Sequence, residues 1–150
     1  MDESIWRKPL DSLYEDLAAP KPAPAGITAA AVSGRLGLGL LIKVLEIAGR
    51  RKSFAGDRDK LAGWIEAARR EADKLAEAAD EDIFADGSRR RSEIPMKAAR
   101  AAESGLAICA EARGVATGAI AADLEVADRL LAAARAAILL CADANAQTRP

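Results

Sequence analysis

Apolar residues recur along this chain with a helical period in five stretches, and glycine and proline punctuate the gaps between them. Val, Ile and Thr form no alternating run, while Ala, Leu, Arg and Glu dominate, so the pattern predicts helices nearly throughout and no strand. A short helix over 11–18 follows from Leu13, Leu17 and Ala18. Pro20, Pro22 and Pro24 then impose an extended loop, because each lacks an N–H and restricts the residue before it. Residues 29–48 are apolar on most sides, which predicts a buried central helix with Thr28 as its N-cap. Gly34, Gly37 and Gly39 each cost that helix about 1 kcal/mol against Ala. A helix keeps such glycines where another backbone comes close, at a tight crossing or a dimer contact.

A third helix over 57–82 starts at Asp57, a capping carboxylate, and carries the stripe Leu61, Ile65, Ala68, Ala72, Leu75 and Ala79. The spacing alternates between four and three, so the next member of this buried seam is position 82. Asp82 is expected on the buried side, and Asp80, two residues earlier, on another face. Burial and the nearby helix C-terminus would both raise the pKa of Asp82, as a general acid or base requires. Asp86-Gly87-Ser88 breaks the helix, and Arg89-Arg90-Arg91 reads as a solvated turn. A fourth helix is expected to follow Pro95 and reach about position 112, with a linker over 114–118. The last helix, over 119–144, carries the stripe Leu124, Ala127, Leu131, Ala134 and Ile138, and the tail 147–150 frays. The expected architecture is all-α: one domain over 1–150, an antiparallel helical bundle with short loops, whose small-residue seams point to a homodimer.

Composition narrows the chemistry. Net charge is −1 with both signs interspersed, and only 3% of residues are aromatic, so neither a basic footprint nor stacking platforms argue for nucleic acid. Arg35, Lys43 and Glu46 interrupt the longest apolar stretch, which argues against a membrane span. The acidic start, Met1-Asp2-Glu3, has no apolar run behind it, so the expectation is no secretory signal and a cytoplasmic protein. Cys109 and Cys141 lack metal-ligand spacing and read as reduced, buried small hydrophobes. Histidine is absent, which removes Ser-His and Cys-His nucleophiles and leaves zinc without its usual partner, so no metal site is expected. Proton transfer would fall to carboxylates, Lys, Tyr14 or water. Trp6, Trp64 and Tyr14 read as packing residues.

A series of short motifs stands in constant order. Pro24-Ala25-Gly26-Ile27-Thr28 opens the apolar helix; Gly49-Arg50-Arg51-Lys52-Ser53-Phe54 follows it; then come Asp80-Glu81-Asp82, Ile94-Pro95, Ala122-Asp123-Leu124-Glu125-Val126-Ala127 and Cys141-Ala142-Asp143-Ala144-Asn145. In order and spacing this series resembles the cyclodeaminase/cyclohydrolase family of folate enzymes. Its Pro-Gly-Gly-Gly-Ser start, Gly-Lys-Lys-x-Tyr/Phe stretch, Asp-x-Asp, Ser-Asp-x-x-Val-Ala and closing Asn-Val-x-x-Asn fall at these places. The resemblance implies an all-α domain that dimerises and a tetrahydrofolate derivative as substrate, with no metal or redox cofactor. It implies cyclisation of 5-formiminotetrahydrofolate with release of ammonia, or hydrolysis of 5,10-methenyltetrahydrofolate. It makes Asp82 and Asp80 the candidate catalytic residues, because a carboxylate stabilises the methenyl cation and moves a proton. Gly26, Thr28, Arg51, Lys52, Asp123 and Asn145 become the candidate substrate-binding residues. Gly26 and Thr28 open a helix whose N–H groups bind an anion or carbonyl, and Arg51 and Lys52 would hold the carboxylates of a glutamate tail. Asp123 and Asn145 also read as caps at the two ends of the last helix. Ala25 and Ile27 in place of glycines, Cys141 in place of Asn and a short middle segment motivate an alternative: a catalytically degenerate relative, a helical dimer that binds a ligand or partner without turnover.

Overall fold

The computed structural model of the chain describes residues 3–87, 89 and 92–148. A 3₁₀ turn at Ile5–Arg7 leads into α1 (Leu10–Ala18), α2 (Gly26–Arg50), α3 (Arg58–Phe84), α4 (Glu93–Ala112) and α5 (Ala119–Gln147). Among the described residues there is no strand. Helix α2 packs on α3 and α5, α4 packs on the same two, and α2 meets α4 only across the diagonal. Successive helices run antiparallel around one core, an up-down-up-down bundle. Ion pairs bridge the neighbouring helices along their lengths, Lys43 to Asp123 (3.0 Å), Lys60 to Glu111 (3.2 Å), Lys97 to Glu77 (2.7 Å) and Arg113 to Glu125 among them.

The two stripes read from the sequence face that core. Leu61, Ala68, Leu75 and Ala79 are buried with Ile65 and Ala72 half-buried, and Leu124, Ala127, Leu131, Ala134 and Ile138 are all buried. Asp57 caps α3, its carboxylate accepting from the backbone N–H groups of Asp59 (2.9 Å) and Lys60 (3.1 Å). Pro95 lies inside α4 as its third residue rather than ahead of it; first-turn N–H groups have no intrahelical partner, so proline costs little there. The helix expected to start behind Thr28 starts three residues earlier, at Gly26 with Ala25 at the cap position, and Thr28 is fully buried. Tyr14 is 65% exposed, contrary to its reading as a packing residue. Of the expected break at Asp86-Gly87-Ser88 and turn at Arg89-Arg90-Arg91, Gly87 and Arg89 are helical instead, while Ser88, Arg90 and Arg91, like Arg149 and Pro150 of the tail, lie outside the described residues.

Two of the three helix-interior glycines do admit a close approach. A Cβ on Gly34 would lie 3.0 Å from Leu75 and 3.1 Å from Ala134, and one on Gly37 would lie 3.2 Å from the carbonyl of Ala127 and from Leu130. Both contacts fall within one chain. Gly39 differs: a Cβ there would meet nothing within 4 Å. Among the described residues α2 is the one helix long and apolar enough to cross a membrane by length and composition, and half of its apolar window is buried in the bundle.

Candidate functional site

At one end of the bundle, the start of α2 meets the ends of α3 and α5. Thr28 and Asp82 are the two buried polar side chains there, with Asp82 5% exposed. Position 82 is the buried continuation of the α3 stripe, as the heptad-like spacing requires. The Thr28 hydroxyl lies 3.3 Å from the carbonyl of Ala79 and 3.4 Å from the Asp82 carboxylate, within donating distance of both. That geometry explains why Thr28 is not a cap: its side chain is used across the helix pair instead of along its own backbone. Gly26 opens α2, and a Cβ on it would lie 3.0 Å from Sγ of Cys141. Burial pushes the Cys141 thiol above its ordinary range, and the negative charge of Asp82 adds to the effect. Asn145, half-buried near the end of α5, stands at this end too, inside the helix rather than past it, and its carbonyl accepts from the Thr148 hydroxyl (3.0 Å).

Asp80 points elsewhere, as expected, and has a structural use. Its carboxylate accepts from the Ser4 hydroxyl (2.6 Å) and the Ile5 N–H (2.9 Å). The indole N–H of Trp6 donates to the carbonyl of Ala76 (3.0 Å), so three contacts tie the N-terminal turn to α3. Nothing in the pattern pointed to this: Ser4 and Asp80 are 76 positions apart, and a lone serine carries no periodicity.

The remaining candidates lie at the opposite end. Arg51 follows α2 and donates to the carbonyl of Thr117 (2.7 Å) and to its hydroxyl (3.2 Å), joining the two loops there. Lys52 is exposed. Asp123 is the fifth residue of α5 rather than its cap and pairs with Lys43. Thr28 and Arg51 are separated by the length of α2, about 35 Å at 1.5 Å per residue. One chain therefore gathers Gly26, Thr28, Asp82 and Asn145 at one end, with Asp80 close by on α3, and leaves Arg51, Lys52 and Asp123 at the other.

Chemically, the first end offers a carboxylate in a nearly dry setting, a hydroxyl beside it and the free N–H groups of a helix start. Such a group can hold a proton or a developing positive charge. Four cavities found among the described residues are lined by neither Thr28 nor Asp82. The model of the formiminotransferase-cyclodeaminase family matches residues 9–85, just over half of the chain, from α1 through the end of α3. No curated protein matches the sequence.

Proposed function

We propose, because this chain belongs to the formiminotransferase-cyclodeaminase family, that it acts on a tetrahydrofolate one-carbon derivative, as a methenyltetrahydrofolate cyclohydrolase or a formiminotetrahydrofolate cyclodeaminase. The observation that carries the reading is the buried pairing of Thr28 with Asp82 inside the matched segment. Both substrates pass through, or start from, a delocalised cation at the one-carbon bridge. Asp82 would stabilise that cation and transfer the proton, while Thr28 orients the carboxylate. Gly26 would let the α2 start approach a substrate carbonyl. Arg51 and Lys52 would take the glutamate carboxylates, and Asp123 and Asn145 would make polar contacts. The seven-membered division of these residues between two ends favours a homodimer as the working unit.

Titration with 5,10-methenyltetrahydrofolate, followed by its own absorbance, tests the reading. Turnover is expected in the parent, and Asp82→Asn should lower it by roughly 100-fold or more, the usual worth of a general acid or base. Asp80→Asn should lower it less, because that carboxylate holds Ser4 and Ile5. Full activity in Asp82→Asn removes the catalytic assignment. A second reading, a degenerate relative that binds without turnover, is favoured by one observation: the Cys141 thiol stands against Gly26, where a Cβ would lie 3.0 Å from it. Binding without loss of absorbance in the parent decides for it.

A further inference from the structure

We propose that the groove between α3 and α4 binds the phosphate group of a small phosphorylated metabolite, with Lys74, Lys97, Arg100 and Ser104 as its binding residues. The groove shares no residue with the Gly26–Asp82 end and does not rest on the folate reading.

The seam between the two helices builds the cluster. Lys60 pairs with Glu111 towards one end of it, and Lys97 pairs with Glu77 towards the other. These pairs fix an antiparallel register that brings Arg100 to the level of Lys74. A cavity of about 380 Å³ lies there, lined by Lys74 and Glu71 from α3 and by Lys97, Arg100, Ala101 and Ser104 from α4. The α4 members are three or four residues apart in turn, so they share one helical face.

Charge sets this groove apart. Elsewhere between neighbouring helices a cation meets a carboxylate: Lys43 meets Asp123, Arg69 meets Glu46 and Arg135 meets Glu103. Here cations converge from both helices, and an anion between them removes their repulsion. Lys74 pairs with Glu71 (3.0 Å), and Lys97 is shared between Glu77 (2.7 Å) and Glu81 (3.8 Å). Arg100 is exposed and pairs with no carboxylate among the described residues. The lining sets Lys74, Lys97 and Arg100 against Glu71 alone, an excess of two positive charges. A phosphate group carries about −1.5 to −2 at neutral pH and balances it.

Ser104 supplies a neutral donor. It is exposed, and its hydroxyl bonds to no acceptor among the described residues. Ser33 on α2 instead bonds back to the carbonyl of Ala29 (3.0 Å), the usual outlet of a helical serine. Donors that converge from two helices suit a tetrahedral group better than a planar one. The Arg100 fork can take two phosphate oxygens while an ammonium and the hydroxyl take the third; a carboxylate has only two oxygens to offer. Ala101 is the apolar member of the lining, and the volume is at the low end for small-molecule sites, so the rest of the ligand is small and polar. The side chains of Glu77 and Glu103 are 59% and 63% exposed nearby, and they would repel an extended polyanion or an acidic bilayer.

Calorimetric titration of the parent with inorganic phosphate and with pyrophosphate, at fixed ionic strength, tests the site. Both are expected to bind. Malonate, a planar dicarboxylate, should bind about tenfold or more weakly than phosphate. Arg100→Gln should weaken pyrophosphate binding by about tenfold or more, the worth of one charged hydrogen bond. Arg129→Gln removes the same charge from the exposed side of α5 and should leave binding as it is. In NMR spectra pyrophosphate should move the Nε–H signal of Arg100 and not that of Arg129. Both arginines are exposed, so unchanged circular dichroism is expected in both variants. Absence of phosphate and pyrophosphate binding, an equal loss in the two variants, or malonate binding as tightly as phosphate would each overturn the proposal. So would an Arg100-dependent preference for a single-stranded oligonucleotide or phosphatidylglycerol vesicles over pyrophosphate. Phosphate binding without folate turnover sinks the folate reading alone; folate turnover without phosphate binding sinks this site alone.

Discussion

At the scale of single residues, two aspartates two positions apart do different work. Asp82 is buried beside Thr28, whereas Asp80 faces the N-terminal turn and accepts two hydrogen bonds from it. Asp80→Ala should destabilise the protein by about 1–3 kcal/mol, the range for charged hydrogen bonds, and change Trp6 fluorescence in a Trp64→Phe background as the turn detaches. The helical period alone separated the two carboxylates, because 100° per residue turns position 80 away from the seam that holds 82. It carried no sign of Ser4. Cys109 supplies a pH dependence. Burial pushes its thiol from an ordinary 9.0 to about 12. Above pH 9 the unfolded chain releases a proton that the folded chain keeps. Stability is therefore intact below pH 9 and falls towards pH 12, by at most about 1.4 kcal/mol per pH unit from this group. Urea unfolding at pH 8 and pH 10.5 should show a smaller loss in Cys109→Ala than in the parent.

At the scale of elements, glycines in similar sequence surroundings have opposite reasons to be there. Gly105 in α4 is pressed from the diagonal and from α5: a Cβ would lie 2.8 Å from Leu38 of α2 and 3.0 Å from Leu131 of α5, both fully buried. Gly105→Ala should cost about 1–3 kcal/mol through overpacking. Gly63 in α3 faces open space, so Gly63→Ala should instead stabilise by about 0.5–1 kcal/mol through helix propensity. Thermal melts of the two variants should move in opposite directions. The same distinction corrects the reading of α2. Gly34 and Gly37 are used up by α3 and α5 inside the chain, so Gly37→Leu would break the bundle itself, and only Gly39 is left facing outward.

At the scale of the whole molecule, the bundle's length is the constraint. Motifs separated by a helix stand at opposite ends, because each helix carries the chain from one end to the other, while Asp80-Glu81-Asp82 and Ile94-Pro95, joined by a loop, share one. The sequence by itself determined the helices, the two buried stripes, the Asp57 cap and the burial of position 82, since these follow from local propensity and a 3.6-residue period. It also carried the family, through motif order and spacing. Only the tertiary structure decided which motifs meet. Thr28 left its expected cap position because a partner 54 residues away lay across the helix pair. Cys141 came to face Gly26, and Arg51 came to tie its loop to Thr117, because helix length and antiparallel packing, not the spacing of residues along the chain, set those distances.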